Sequence, residues 1–369
     1  MKAVTVGSAM VDIITIVADT DIERMTMHNA TSSFLLLEQG RKIDAESITL
    51  HIGGGAVNAA VSMARLGLEV GVLTKIGKDL NAERILERLK AEGVARHLVF
   101  VSERERSGTS VMVSSHDRNA TIFTQRGANG FLNIDDVPRD AFRGAGLVYI
   151  SSLSNQSADC YPELVRRGAA ENALVAANPG IRQLTTRLDA FFESLQHVSL
   201  LALNRVEAAA LAPGLFARAD NLHARGPNRS RKTKKDLPPL LRDGLSFGGF
   251  RISLPTLLNA LAAFGLKYVV LTDGTGGSYL YDGAAIFHCP ILRVEPQGTA
   301  GAGDAFASTL SACLSKGKNP EFALRAAAVN ASSVVKHVDT QSGLLKRRTL
   351  ETRVKKVGDQ LPVNIYPIQ

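Results

Sequence analysis

Apolar positions along the chain fall into short β-branched runs that alternate with stretches of helical spacing. Residues 3–16 predict a buried strand with a Gly-Ser break, and 17–52 predict short strands from the alternation in SFLLLEQG and SITLHI. Gly53-Gly54-Gly55 opens a helix over 56–66, where Ala60, Met63, Ala64 and Leu66 recur at near-helical spacing and Gly67 stops it. A strand at 70–76, a helix at 80–92 with a Leu80/Ile85/Leu86/Leu89 face, and a strand at 98–101 follow. Segments 109–114 and 120–125 flank the turn-prone HDRN and predict a hairpin. Beyond them the alternation is regular: strand 147–151, helix 161–173, strand 174–177, helix 189–195, strand 199–203, helix 254–264, strand 268–272, hairpin 278–287, and helices from about Ala302 and Pro320.

Strand–helix alternation at this length predicts an α/β fold, a doubly wound and mostly parallel central sheet with helices on both faces. The expected core is 1–16, 53–99 and 131–369, and the β-rich pieces 17–52 and 100–130 form a small separate sheet. Segments 225–239 and the tail beyond 345 are the expected disordered stretches.

The net charge of +8 is local. Residues 218–242 hold eight Lys/Arg and two Asp, net +6; residues 344–356 hold six and one, net +5. Together these make +11, which leaves −3 for the remainder, so the body is not basic. Zero Trp and few aromatics argue against stacking on nucleic acid. No apolar run approaches the ~18 residues of a membrane span, and no secretory signal is visible. Three widely spaced cysteines fit reduced thiols in a cytoplasmic protein.

The chemistry concentrates in Gly298–Phe306, GTAGAGDAF, ahead of a helical run. Gly301 and Gly303 let backbone N–H groups approach an anion, and the helix adds unpaired N–H groups and the positive end of its dipole. Asp304 in the first turn would repel a phosphate, but it makes sense as a base that takes the proton of an attacking hydroxyl. A plain Gly-rich loop with Asp starting a helix satisfies the same pattern.

GTAGAGDAF resembles the D-T-x-G-A-G-D-x-F signature of the ribokinase/PfkB carbohydrate kinases. Gly53-Gly54 followed by Asn58 and Leu66-Gly67 is similar to that family's N-terminal G-G-x-x-x-N-x-A…L-G. Arg126-Gly127-Ala128-Asn129, Asn178-Pro179-Gly180, Asn204 with Glu207, and Thr272-Asp273-Gly274 with Gly277 match further motifs in the family's order. The resemblance covers nearly the whole chain apart from the basic insert and the extreme C-terminus.

It implies an ATP-dependent kinase of a sugar or sugar-like alcohol. Asp304 is then the general base, and the N–H groups of Ala302, Gly303 and Asp304, with Gly301 before them, form the anion hole. Asn204 and Glu207 organise Mg²⁺, water and the nucleotide phosphates, Glu207 through water. Thr272, Gly274 and Gly277 contact the nucleotide, and Asn330 lies near the adenine. Asp12, Gly54, Gly55 and Asn58 meet the acceptor, and the small sheet is a lid that in several relatives also makes a homodimer contact. The plain alternatives are an exposed or capping Asn at Asn330, a turn-capping Asp at Asp12, and a Glu207 that simply starts a helix.

Two departures bear on these expectations. Gly298 replaces the motif's leading Asp, and Asp339-Thr340 replaces a later Gly-Ala, so activation by a monovalent cation such as K⁺ is doubtful. GGGAVNAA differs from the ribokinase G-G-K-G-A-N-Q, so ribose is not implied as substrate. A nucleoside kinase of the same fold, resembling adenosine kinase, and a non-catalytic ligand-binding protein on this scaffold remain alternatives. The basic insert at about 213–253 has no counterpart in a minimal member and is expected to be a flexible excursion.

Overall fold

The computed structural model describes residues 1–18, 23–26, 33–36, 39–114, 121–218 and 236–368. Its centre is a 10-stranded sheet in the order Asn364–Pro367, Ala285–Cys289, Ser278–Tyr281, Tyr268–Thr272, Leu200–Asn204, Leu174–Ala177, Leu147–Ile150, Lys2–Val6, Glu69–Ile76, Val99–Val101. From Tyr268–Thr272 to Val99–Val101 every neighbouring pair is parallel, and the other pairs are antiparallel.

The strand period of two explains the two helical layers. Ala3, Leu147 and Tyr149 point into one apolar cluster with Ala60, Met63, Phe306 and Leu310. Val4, Val148 and Ile150, one residue along, point into the other with Leu164, Leu211 and Leu257. Strands buried on both faces read as continuous apolar runs, as these do.

The expected strand at 3–16 is two strands. Lys2–Val6 lies in the large sheet, while Met10–Val17 pairs antiparallel with Ala45–Gly53 and parallel with Gly108–Ser114. Thr121–Gln125 completes this four-stranded small sheet, and Glu23–Thr26 pairs with Ser33–Leu36 beside it in sequence. The chain changes sheets at Gly7, whose φ of 142° and a Cβ clash at 2.0 Å from Ser151 Oγ make it a glycine position. The HDRN turn lies outside the described residues.

Other expectations shift in detail. Leu80 is 70% exposed, because Ala82, Ile85 and Leu89 supply the buried face of Leu80–Ala91. A short helix, Ile181–Thr186, precedes Leu188–Ser194. The tail beyond 345 is ordered: Arg347–Val357 is a helix that buries Leu350 and Val354, and Asn364–Pro367 pairs at the sheet's edge. Much of the expected flexible insert is also built into the core. Leu240, Leu241, Leu245 and Ile252, from the helix Pro239–Asp243 and the hairpin Leu245–Phe247/Phe250–Ile252, are buried. Residues 219–235, most of the basic run, lie outside the described residues.

Candidate active site

The helix Gly55–Arg65 begins where the chain crosses between the sheets. Gly54, at φ 95°, admits close contact because an added Cβ would stand 2.5 Å from the Ser8 carbonyl oxygen. Ser8 in turn accepts from the Gly55 and Ala56 N–H groups, and Asn129 holds both the N–H and the carbonyl of Ala9 at 2.8 Å. The start of one helix and the sheet crossing are thereby locked together.

Against this lies the helix Ala302–Ser315, led by Gly301 in the left-handed region at φ 77°. A Cβ there would come within 2.6 Å of Thr340 Cβ, whereas Gly303 faces open space. Asn58 Nδ2 donates to Asp304 Oδ2 at 2.8 Å. The amide is oriented from behind, since its Oδ1 accepts from Thr340 Oγ1 at 2.9 Å and Gln341 Nε2 at 3.0 Å. Arg88 in turn donates to Gln341 Oε1 at 2.9 Å. Thr340 and Gln341 thus stabilise one orientation of Asn58, the one that presents donors to Asp304.

Burial raises the Asp304 carboxyl above the usual carboxylate range, the Asn58 bond pulls it down, and the charge of Asp12 pushes it up. Asp12 is also raised by burial, against a hydrogen bond from Ser110 Oγ at 2.5 Å and the nearby His51. Gly53 gives Asp12 room, since a Cβ there would lie 2.0 Å from Asp12 Oδ2.

Asp304, Gly301, Gly303 and Gly55 line a cavity of about 390 Å³ with Asn204, Glu207 and Thr272. Asn204 and Glu207 form a capping box on the helix Arg205–Phe216: Asn204 Oδ1 accepts from the Glu207 N–H, and Glu207 Oε2 from the Asn204 N–H. The bland role expected of this pair is therefore real, and Glu207 still faces the cavity. Burial raises its carboxyl, the Asn204 bonds lower it, and Asp304 raises it.

Several expected site residues stand apart. Asn330 is fully buried, donating to Thr309 Oγ1 at 2.7 Å and accepting from the Leu345 N–H at 2.9 Å. It ties two helices to the C-terminal segment and does not line the cavity. Asn58 is 3% exposed and meets the aspartate, and Asp12 sits within the small sheet, paired with His51. Gly274 and Gly277 shape the turn after Tyr268–Thr272 at φ 52° and 87°, and neither they nor Ala302 nor Gly54 line the cavity. Its remaining wall includes Ser8, Arg126, Ser151, Ser152 and Asn178-Pro179-Gly180. The motif runs RGAN and NPG marked some of these; Ser151 and Ser152 carried no signal beyond following a strand.

Among the described residues no group of three His, Cys, Asp or Glu could hold a metal. Two carboxylates beside a helix N-terminus instead suit a cation that arrives with phosphate and water oxygens of its own, as Mg²⁺ does. No helix among the described residues is long and apolar enough to cross a membrane, and all three cysteines are free and buried.

The chain matches the family described as pfkB family carbohydrate kinase over residues 2–233 and 253–347. It is 26% identical over 307 residues to the ribokinase of Bacillus subtilis, covering 81% of this chain and 86% of that protein. Arabidopsis thaliana ribokinase, solved with ribose and ATP, superposes with a TM-score of 0.69 at 19% identity over 96% of this chain and 98% of that one. Burkholderia thailandensis nucleoside kinase, solved with inosine, superposes at 0.71 with 16% identity over 98% and 100%. The ribokinase fold built around Asp304 and this match together place the chain in the pfkB family of carbohydrate kinases, ATP-dependent phosphotransferases.

Proposed function

We propose that this protein transfers the γ-phosphoryl group of ATP to an alcohol of a sugar, with Asp304 as the general base. The observation that carries the proposal is the half-buried Asp304 carboxyl in the first turn of the Ala302–Ser315 helix, facing the cavity, raised and held by Asn58. A base poised above the ordinary carboxylate range accepts a hydroxyl proton more readily. The N–H groups of Gly303 and Asp304 have no intrahelical partners and stabilise charge gathering on the transferred group, whereas that of Ala302 donates to the Thr299 carbonyl at 3.4 Å. Magnesium, bound with ATP, neutralises phosphate charge beside Glu207. Asn204, Glu207 and Thr272 serve the nucleotide side of the cavity, and Gly55 and Ser8 the acceptor side, with the charge of Asp12 acting on Asp304 from outside its wall.

The acceptor side favours a sugar over a nucleoside, because Ser8, Ser151 and Ser152 line it with hydroxyl groups suited to a polyol. The small sheet acts as the lid, and its exposed Ile48, Leu50, Ile122 and Phe123 suit pairing with a second copy. The deciding measurement is ATP turnover with Mg²⁺ over a panel of sugars and nucleosides. Asp304→Asn is expected to lower kcat by about 10³-fold or more while ATP binding survives. Wild-type turnover in that variant refutes the base assignment.

A further inference from the structure

Arg126 and Arg182 form no ion pair with a carboxylate among the described residues. Both line a second cavity of about 560 Å³, and Arg126 lines the catalytic cavity as well, so one residue borders the two spaces. Burial, then the like charge of Arg182, works against the half-buried Arg126 cation. Arg182 is exposed at the rim of that cavity, and an anion bound between the two residues would offset both the repulsion and the desolvation of Arg126. Glu105 lines the same cavity and makes no ion pair with either arginine. Asn155, held at the unusual φ of 53°, adds an amide to the wall.

The position favours the acceptor over the nucleotide. Arg126 directly follows Thr121–Gln125, a strand of the small sheet that also carries Asp12, and Ile122, Thr124 and Gln125 wall the second cavity. Arg182 follows the strand Leu174–Ala177. Asn204 and Thr272 end the next two strands across the large sheet, Glu207 follows the first of them, and none of the three lines the second cavity.

We propose that the acceptor carries an anionic group, a phosphate ester or a carboxylate, which Arg126 and Arg182 bind together beyond the hydroxyl that reacts. This rests on the kinase reading of the same site. Arginine forks suit both groups through paired, charge-assisted hydrogen bonds.

The test separates binding from turnover. Calorimetry without ATP compares ribose, ribose 5-phosphate and gluconate on the wild-type chain, Arg126→Gln, Arg182→Gln and Arg126→Lys. One anionic ligand is expected to bind the wild type, and its identity distinguishes phosphate from carboxylate. Each Gln variant is expected to lose about 30-fold or more in affinity, with partial recovery in Arg126→Lys. Circular dichroism checks that the variants fold. Equal binding of the neutral sugar overturns the proposal, as does a Gln variant that weakens ATP binding while leaving the anionic ligand untouched. Anionic binding that depends on both arginines, without any phosphate transfer, supports the subsite and instead defeats the kinase reading.

Discussion

Asp304 is set by its neighbours more than by its own motif. The Asn58 bond lowers its carboxyl and the Asp12 charge raises it, on top of the larger effect of burial. The acidic limb of kcat/KM therefore moves to lower pH in Asp12→Asn and to higher pH in Asn58→Leu. Profiles that coincide with wild type would show that another group sets the limb. The same burial has a stability consequence. A carboxyl whose folded-state pKa is raised contributes stability that is present below its unfolded pKa and lost as pH rises through the folded value. Asp304→Asn should accordingly raise Tm at pH 7, with the gain shrinking as pH falls toward the ordinary carboxylate range. Gly301→Ala tests the loop, since φ 77° and a Cβ 2.6 Å from Thr340 Cβ both oppose it. It is expected to cost about 1–3 kcal/mol in denaturant unfolding, and an unchanged midpoint argues against the strain.

At the scale of elements, the C-terminal segment shows how a charged stretch can be structural. The helix Arg347–Val357 carries five Lys/Arg and still buries Leu350 and Val354, while its cations stay outside. Asn364–Pro367 covers the edge of Ala285–Cys289. Truncation after Leu345 should uncover that edge and lower both soluble yield and Tm. A truncated chain as stable as the full one would show the segment to be dispensable. Periodicity foresaw most strands and helices because each buries a continuous face. It missed the ordered tail because a short apolar set among many charges has too weak a signal until a partner surface exists.

On the scale of the whole molecule, the site joins residues far apart in the chain, the hydrogen-bonded Asn58 and Asp304 being 246 positions distant. The small sheet exposes Phe123 at 58% and Ile48 at 67%. If two copies pair there, Phe123→Glu is expected to shift sedimentation toward the monomer; a wild type already monomeric refutes the pairing. The GAGD turn, the helix behind it and the parallel α/β plan were legible from the residues alone, because glycine conformation, helix dipole and strand alternation are local properties. The tertiary structure alone decided that the first apolar run divides between two sheets, that Asn330 is a buried tie, and that Asn58 faces Asp304 with Thr340 and Gln341 behind it. Those outcomes depend on which distant groups supply the last hydrogen bond to a buried polar atom, and nothing in a local pattern carries that information.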